Sequence, residues 1–159
     1  MIQQAIRLYE KQLCTLQKQL RKLIDSDEKF RAKVRIIESV LGLDEATVAT
    51  VIAELPELGT LNRKQIARLV GVAPTNRDSG LMQGKHTTGG GRVTVRNALF
   101  MPCVVAKKFN PKIKAFYDRL VANGKPKMVA LITAMRKLLT ILNTMIREQT
   151  TWQETPIPT

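Results

Sequence analysis

Apolar residues recur at helical spacing along most of the chain, and no segment alternates convincingly at the two-residue period of a strand. The clearest pattern, here called the N-terminal stripe, follows a 4-3-4-3-4-3 spacing: Ile2, Ile6, Tyr9, Leu13, Leu16, Leu20 and Leu23. A narrow a/d stripe over three heptads is typical of a coiled coil. It favours a self-associating helix or an antiparallel helical hairpin. The alternative is an amphipathic helix packed on its own domain.

Two helical patterns meet at Gly42 in the manner of a helix-hairpin-helix unit. The first covers residues 30–41, and the second is capped by Asp44. The turn of such a unit can hold a DNA phosphate through backbone N–H groups. Because Asp44 and Glu45 make this turn acidic, structural pairing of the two helices is at least as strongly favoured.

Four further helices are predicted from periodicity and end signals, over residues 63–70, about 92–109, 111–122 and about 126–149. The last carries a broad i, i+3, i+4 apolar stripe for about five turns. The sequence therefore predicts an all-α fold in three parts. These are a coiled-coil arm over residues 1–41, a compact helical domain over 42–150 with the helix-hairpin-helix-like unit, and a tail over 151–159.

The positive charge is confined to one part of the chain. Residues 1–59 contain nine basic and nine acidic residues, whereas residues 60–148 contain seventeen basic and three acidic residues, a net charge of +14. A strongly basic half beside a neutral half is typical of a nucleic-acid-binding protein. A generally basic surface without a nucleic-acid partner is the simpler alternative.

The remaining composition restricts the compartment and the cofactors. No run of 18 apolar residues and no signal-peptide pattern is present, so no membrane association is expected. Cys14 and Cys103 form neither a CxxC pair nor a zinc spacing, which fits free thiols in a reducing cytoplasm. We expect no metal site and no bound cofactor on this chain.

A glycine-rich segment over residues 77–92 interrupts the helical patterns and contains five of the nine glycines. Long irregular segments inside compact domains are often functional. Ser79 lies in it among basic residues, and a serine hydroxyl can attack a phosphodiester when cations neutralise the transition state. A serine in a loop is more often only a turn residue, and Gly89–Gly91 is more often a hinge than a phosphate cradle. The candidate phosphate contacts are Arg77, Lys85, Arg92, Arg96, Lys107, Lys108, Lys125 and Lys127.

Several motifs occur here in the order found in one transposase family. They are LPELG (55–59), ARLVGVAP (67–74), DSG (78–80), GGRVTVRNALFM (90–101), NP (110–111), FYDRL (116–120), GKPK (124–127), MRKLL (135–139) and Asn143. In this order they resemble the C-terminal half of the bridge-RNA-guided insertion-sequence transposases, whose N-terminal half is a RuvC-like DEDD domain. The resemblance covers about residues 30–152.

The resemblance implies a mechanism in which the serine of the Ser-Gly motif, here Ser79, is the nucleophile and joins DNA through a phosphoserine bond. It implies DNA and a guide RNA as partners, and a homo-oligomer assembled through the coiled coil. It assigns the acidic residues and a divalent metal to the RuvC-like half. Because the chain begins at the coiled coil, we expect that half to be missing and recombination by this chain alone to fail. The chain is expected in the cytoplasm, at the nucleoid.

Two other classes of function remain open. The first is a non-catalytic nucleic-acid-binding adaptor that self-associates through the N-terminal stripe and does not need the Ser79 hydroxyl. The second, a basic ribosome- or RNA-associated protein, explains the charge but not the order of the Ser-Gly and Gly-Gly-Arg motifs.

Overall fold

The computed structural model describes residues 2–74 and 88–152, and seven α-helices make up most of these two ranges. Neither range contains a β-strand, so the predicted all-α fold is confirmed. In chain order the helices are α1 (Ile2–Ser26), α2 (Glu28–Glu38), α3 (Glu45–Glu54), α4 (Arg63–Val70), α5 (Val93–Phe109), α6 (Pro111–Ala122) and α7 (Lys127–Glu148).

Side-chain caps fix the starts of the short helices. The Asn62 side chain accepts hydrogen bonds from the backbone N–H groups at the start of α4, and the Gln65 side chain accepts one from the Asn62 N–H (3.0 Å), forming a capping box. At α6 the Asn110 side chain accepts from the Ile113 N–H (3.2 Å), and Pro111 occupies the first helical position. These residues encode the two starts locally.

α1 and α2 differ sharply in burial. They are separated at Asp27, whose carboxylate accepts a hydrogen bond from the Lys29 N–H (2.9 Å) and caps α2. α1 buries only Ile24, whereas α2 buries three residues and contacts α3 and α7. The part of the predicted arm over residues 1–41 that projects from the helical body is therefore α1 alone.

The N-terminal stripe lies on the surface of α1. Six of its seven side chains are exposed by half or more: Ile2 (80%), Ile6 (51%), Tyr9 (67%), Leu13 (57%), Leu16 (64%) and Leu23 (70%). Leu20 is partly buried against the core. Apart from Leu20, packing of this stripe on the helical body is thus not observed in the described part of the chain. Self-association through the stripe stays a prediction.

The turn between α2 and α3 packs against α5. Gly42 has φ +102°, and a Cβ added there would lie 3.3 Å from the Ala106 nitrogen and 3.4 Å from the Pro102 carbonyl oxygen. A side chain at this position would therefore be both strained and crowded. The close approach brings the α2–α3 hairpin onto α5, which is a structural use of the predicted helix-hairpin-helix-like unit.

α7 is the central helix of the body. Ten of its residues are buried, and it contacts α2, α4, α5 and α6. By length and composition alone α7 could cross a membrane. Its contacts on several sides are those of a core helix, and the broad apolar stripe predicted from the sequence is the surface that makes them.

A buried asparagine on α7 fixes the loop between α3 and α4. The Asn143 Oδ1 accepts a hydrogen bond from the Gly59 N–H (2.8 Å), and its Nδ2 donates to the Leu61 carbonyl oxygen (2.8 Å). Asn143 is only 1% exposed, so both bonds satisfy polar groups that water does not reach. This loop carries Glu57, which matters for the candidate site.

Candidate nucleic-acid interface

Two short backbone stretches that flank residues 72–89 are in contact at one place, which we call the neck (Leu69–Gly71 with Gly90–Arg92). The Arg92 N–H donates to the Leu69 carbonyl oxygen (2.8 Å). A Cβ on Gly71 would collide with the Gly90 carbonyl oxygen, and one on Gly91 would lie 2.7 Å from the Gly71 nitrogen. Glycine is therefore required at residues 71 and 91, because the two backbones are in direct contact.

Arg92 is held by an acidic partner at the neck. Its Nη1 and Nη2 bind the two carboxylate oxygens of Glu57 at 2.5 and 2.6 Å, and Nη1 also donates to the Glu54 carbonyl oxygen (2.7 Å). This bidentate pair lowers the pKa of Glu57 and raises that of Arg92. The sequence predicts Arg92 as a phosphate contact. Its guanidinium group already binds the Glu57 carboxylate, so a phosphate would have to bind beside Glu57 or displace it.

Arg96 has a different environment, one turn further along α5. Its Nη1 donates to the Gly90 carbonyl oxygen (2.7 Å), with longer contacts of 3.5 Å to the carbonyl oxygens of Val70 and Gly71. No carboxylate among the described residues pairs with it. Arg96 thus closes the neck through carbonyl groups and keeps its net positive charge, as a phosphate contact requires.

Three predicted site residues, Arg77, Ser79 and Lys85, lie outside the described residues. Their assignment as nucleophile and phosphate contacts stays a prediction. The described chain fixes only where the segment that contains them begins and ends, since residues 71 and 90 are in contact at the neck.

The four predicted lysines fall into two separate groups. Lys107 and Lys108 lie in the last turn of α5, which leads into α6, and the Lys107 ammonium lies 5.0 Å from the centre of the Tyr117 ring. Lys125 and Lys127 are exposed at the turn between α6 and α7. α6 has 12 residues and is therefore about 18 Å long. The two pairs thus lie near opposite ends of α6, and neither belongs to the neck.

Sequence reasoning missed a basic cleft of about 300 Å³ that is lined by residues of α4, α6 and α7. α7 forms its floor, and α4 and α6 form its walls without contacting each other. The lining residues, which define the basic cleft from here on, are Arg63, Phe116, Thr133, Arg136, Lys137, Thr140 and Ile141. Of its three cations, Arg63 lies more than 70 residues before the adjacent Arg136 and Lys137.

A signal for the cleft was present in α7. Thr133, Lys137 and Thr140 recur at i, i+4 and i+7, and Arg136 interrupts an otherwise apolar region of the helix. Such a polar stripe shows only that this face of α7 is not covered by the core. The contribution of α4 and α6 could not be predicted, because it depends on tertiary packing.

The described residues contain no group of three or more His, Cys, Asp or Glu side chains able to hold a metal ion. Cys103 is buried in α5, where its thiol donates to the Leu131 carbonyl oxygen (3.6 Å), and burial raises its pKa to about 12. This thiol is thus a core residue and not a reactive one.

Comparison with known proteins identifies the class. The model of the Transposase IS116/IS110/IS902 family matches residues 34–118, which is more than half of the chain. The chain therefore belongs to this family. The match includes the neck, α5 and most of α6.

Individual relatives agree with the family. The pilin gene-inverting proteins of Moraxella bovis and Moraxella lacunata are each 28% identical over 147 residues, which cover 90% of this chain and 46% of theirs. An uncharacterized 43.6 kDa protein of insertion element IS110 in Streptomyces coelicolor is 27% identical over 121 residues, or 74% of this chain and 30% of that protein. The chain thus spans less than half the length of these relatives.

Proposed function

We propose that this chain is the DNA-strand-cleaving and rejoining domain of a transposase, with Ser79 as the nucleophile. Family membership supports recombination chemistry, and the single structural observation that supports the site is the neck. Because residues 71 and 90 meet there, the segment bearing Ser79 starts and ends beside Arg96, a cation without a carboxylate partner among the described residues. A nucleophile for phosphodiesters needs such a cation nearby.

The proposed reaction exchanges one phosphodiester for another. The Ser79 Oγ bonds to the phosphorus of the DNA backbone while a bond from phosphorus to a deoxyribose oxygen breaks. The serine proton passes to a general base, and the leaving deoxyribose oxygen gains a proton. Attack by a deoxyribose hydroxyl on the phosphoserine bond then reverses these steps and rejoins a strand. Because the phosphodiester is conserved in the covalent intermediate, rejoining needs no nucleotide cofactor.

We expect a divalent metal to assist this chemistry from a RuvC-like domain. The described residues offer no cluster of metal ligands, and the resemblance assigns the acidic residues to the RuvC-like half. In this arrangement the nucleophile and the basic binding surface lie on one domain, and the metal-binding carboxylates lie on the other. A complete active site would then require both domains in one assembly.

Binding of DNA and of a guide RNA is the second part of the proposal. The +14 charge of residues 60–148 supports phosphate-dominated binding that tolerates many sequences. Intracellular action on DNA follows from the family, and association with the nucleoid is expected from this charge. The exposed N-terminal stripe supports a homo-oligomer formed through α1.

The decisive experiment tests for a covalent protein–DNA adduct. The chain is fused to, or mixed with, a RuvC-like half from a relative, a matching guide RNA, Mg²⁺ and labelled DNA. We expect an adduct that survives denaturing electrophoresis with wild-type protein and disappears with Ser79→Ala. DNA affinity should change little in that variant, since one neutral hydroxyl contributes only about 0.5–1.5 kcal/mol as a hydrogen-bond partner.

Thr87→Val is the matched control, because it removes a hydroxyl from the same glycine-rich segment. An adduct that persists in Ser79→Ala would show that Ser79 is not the nucleophile. If wild-type assemblies bind DNA but never form an adduct, the alternative of a self-associating nucleic-acid-binding adaptor is the better description. The exposed N-terminal stripe is the observation that favours that alternative.

A further inference from the structure

The basic cleft has an unbalanced charge. Arg63, Arg136 and Lys137 line it, and none of them has a carboxylate partner among the described residues. Asp118 is the only acidic residue of α6, and it is paired with Lys114 at 2.7 Å. Because the lining contains cations and no acids, its electrostatic complement is an anion.

An aromatic ring contacts one cation of the cleft, Lys137. The Lys137 ammonium lies 4.8 Å from the centre of the half-buried Phe116 ring, and the Arg119 guanidinium carbon lies 5.4 Å from it. Such cation–π contacts hold a cation in place without neutralising its charge. Phe116 therefore keeps Lys137 at the cleft with its charge available to a ligand.

The other lining groups restrict what the cleft can recognise. The hydroxyls of Thr133 and Thr140 donate to the carbonyl oxygens of Val129 (2.7 Å) and Arg136 (2.8 Å), one turn back along α7. Their protons are thus already used, and the donors left for a ligand are the three cations. Phe116 and Ile141 add apolar surface. Cations beside an apolar surface suit a phosphate and its sugar.

We propose that the basic cleft binds a backbone phosphate of a nucleic-acid strand, with Arg63 and Arg136 as its ligands and Lys137 as a third cation. This inference rests on the proposed function, because the strand is the DNA or RNA on which the domain acts. A volume of about 300 Å³ is at the lower end for small-molecule sites, which suits one nucleotide unit of a longer strand. The contact would position a strand without reading its sequence.

The test compares two pairs of cations on and near α4. Arg63→Ala with Arg136→Ala removes two charges from the cleft, whereas Lys64→Ala with Arg68→Ala removes two exposed charges of α4 that do not line it. Fluorescence anisotropy with labelled duplex DNA at several salt concentrations gives affinity and salt slope. We expect at least about tenfold weaker binding and a slope smaller by about 0.9 for each lost phosphate contact in the cleft variant. The control should lose less than about threefold.

A second pair of variants distinguishes loss of DNA binding from loss of folding. Arg63→Glu and Lys64→Glu both place an acid in the first turn of α4, where the helix dipole favours it. Both should fold, and only Arg63→Glu should weaken binding strongly. If the cleft and control variants bind DNA equally, the cleft proposal is wrong, while nucleic-acid binding by the domain stands. If the wild-type chain binds no DNA, the cleft proposal and the binding part of the proposed function both fail.

Inorganic phosphate separates a strand from a small anion as the ligand. Thermal unfolding is measured in phosphate and in chloride at equal ionic strength, for the wild type and the double-alanine cleft variant. Phosphate stabilisation that is lost in the variant, together with unchanged DNA affinity, would identify a site for a free anion and overturn the proposal. Loss of DNA affinity in the same variant supports it.

Discussion

α1 and α7 are the two longest helices, and both carry continuous apolar stripes, yet they occupy opposite environments. The stripe of α7 is broad and buried by four other helices, whereas the N-terminal stripe of α1 is narrow and mostly exposed. The width of the stripe explains the difference. A stripe at i, i+3 and i+4 faces several neighbours, whereas an a/d stripe fits a single partner helix. The two patterns therefore predict two different kinds of partner.

Polar substitutions in the N-terminal stripe should weaken self-association of the chain, and we expect this effect to be the largest of those predicted here. Burying one leucine stabilises an interface by roughly 1.5–3 kcal/mol. Leu13→Ser with Leu16→Ser should therefore weaken self-association by about a thousandfold or more, measured by sedimentation over a range of concentrations. The control is Leu8→Ser, which changes a leucine of similar exposure that lies outside the stripe. An unchanged mass in the double variant would exclude an α1 coiled coil.

The stripe of α7 should respond through stability and not through mass. Leu138 is fully buried, so Leu138→Ala should lower the free energy of unfolding by about 2–5 kcal/mol. Leu16→Ala on α1 should change the stability of the body by less than about 0.5 kcal/mol. Urea unfolding followed by circular dichroism, at a concentration where the chain is monomeric, measures both. Equal losses would show that α1 also packs on its own body.

The two cysteines report on the same contrast, since Cys14 lies on α1 and Cys103 in the core beside α7. The thiolate is the reactive form, and burial raises the pKa of Cys103 to about 12. At about pH 8, Cys14 should react with an alkylating reagent roughly a hundredfold faster than Cys103. Mass spectrometry of the labelled peptides gives both rates. Comparable alkylation rates in the folded protein would contradict the packing of α5. In urea, which unfolds the core, we expect the two rates to become equal.

The smallest effect we expect is on the stability of the folded state at low pH. The Arg92 guanidinium lowers the pKa of Glu57 below its usual value of 4.5, so the charged carboxylate stabilises the folded state above that pH. This contribution is lost as the pH falls through the lower, folded pKa. Glu57→Gln should therefore flatten the decrease in stability seen by urea unfolding between about pH 6 and pH 3. Glu10→Gln on the exposed face of α1 is the control. An equal effect of that substitution would show that the Glu57–Arg92 pair is not the cause of the loss of stability at low pH.

Local signals in the sequence predicted the helices well. Asn62 and Asn110 cap their helices through hydrogen bonds within one turn, and Pro111 occupies the first position of α6, so α4 and α6 begin where those residues indicate. Contacts between distant residues were not predictable in this way. Whether Arg92 meets a phosphate or Glu57 depends on the position of the α3–α4 loop, which Asn143 sets from 84 residues away.

The basic cleft was missed for the same reason. Arg63 and Arg136 are ordinary surface residues in the periodic pattern of their own helices. They form one site only because α4 and α6 flank α7 on two sides. Charge counting found the basic half of the chain, but it could not separate cations that are paired, such as Arg92, from cations that are not.

The neck has a consequence for how such domains can diversify. Two contacting glycines and the carbonyl contacts of Arg96 fix the ends of the intervening segment, independently of its length. Doubling the length of a closed loop costs only about 0.6 kcal/mol in closure entropy. Insertions and deletions between residues 74 and 88 should therefore leave the helical body nearly as stable as before. The segment that bears the proposed nucleophile can therefore vary in length and sequence between related domains, whereas residues 71 and 91 must remain glycine.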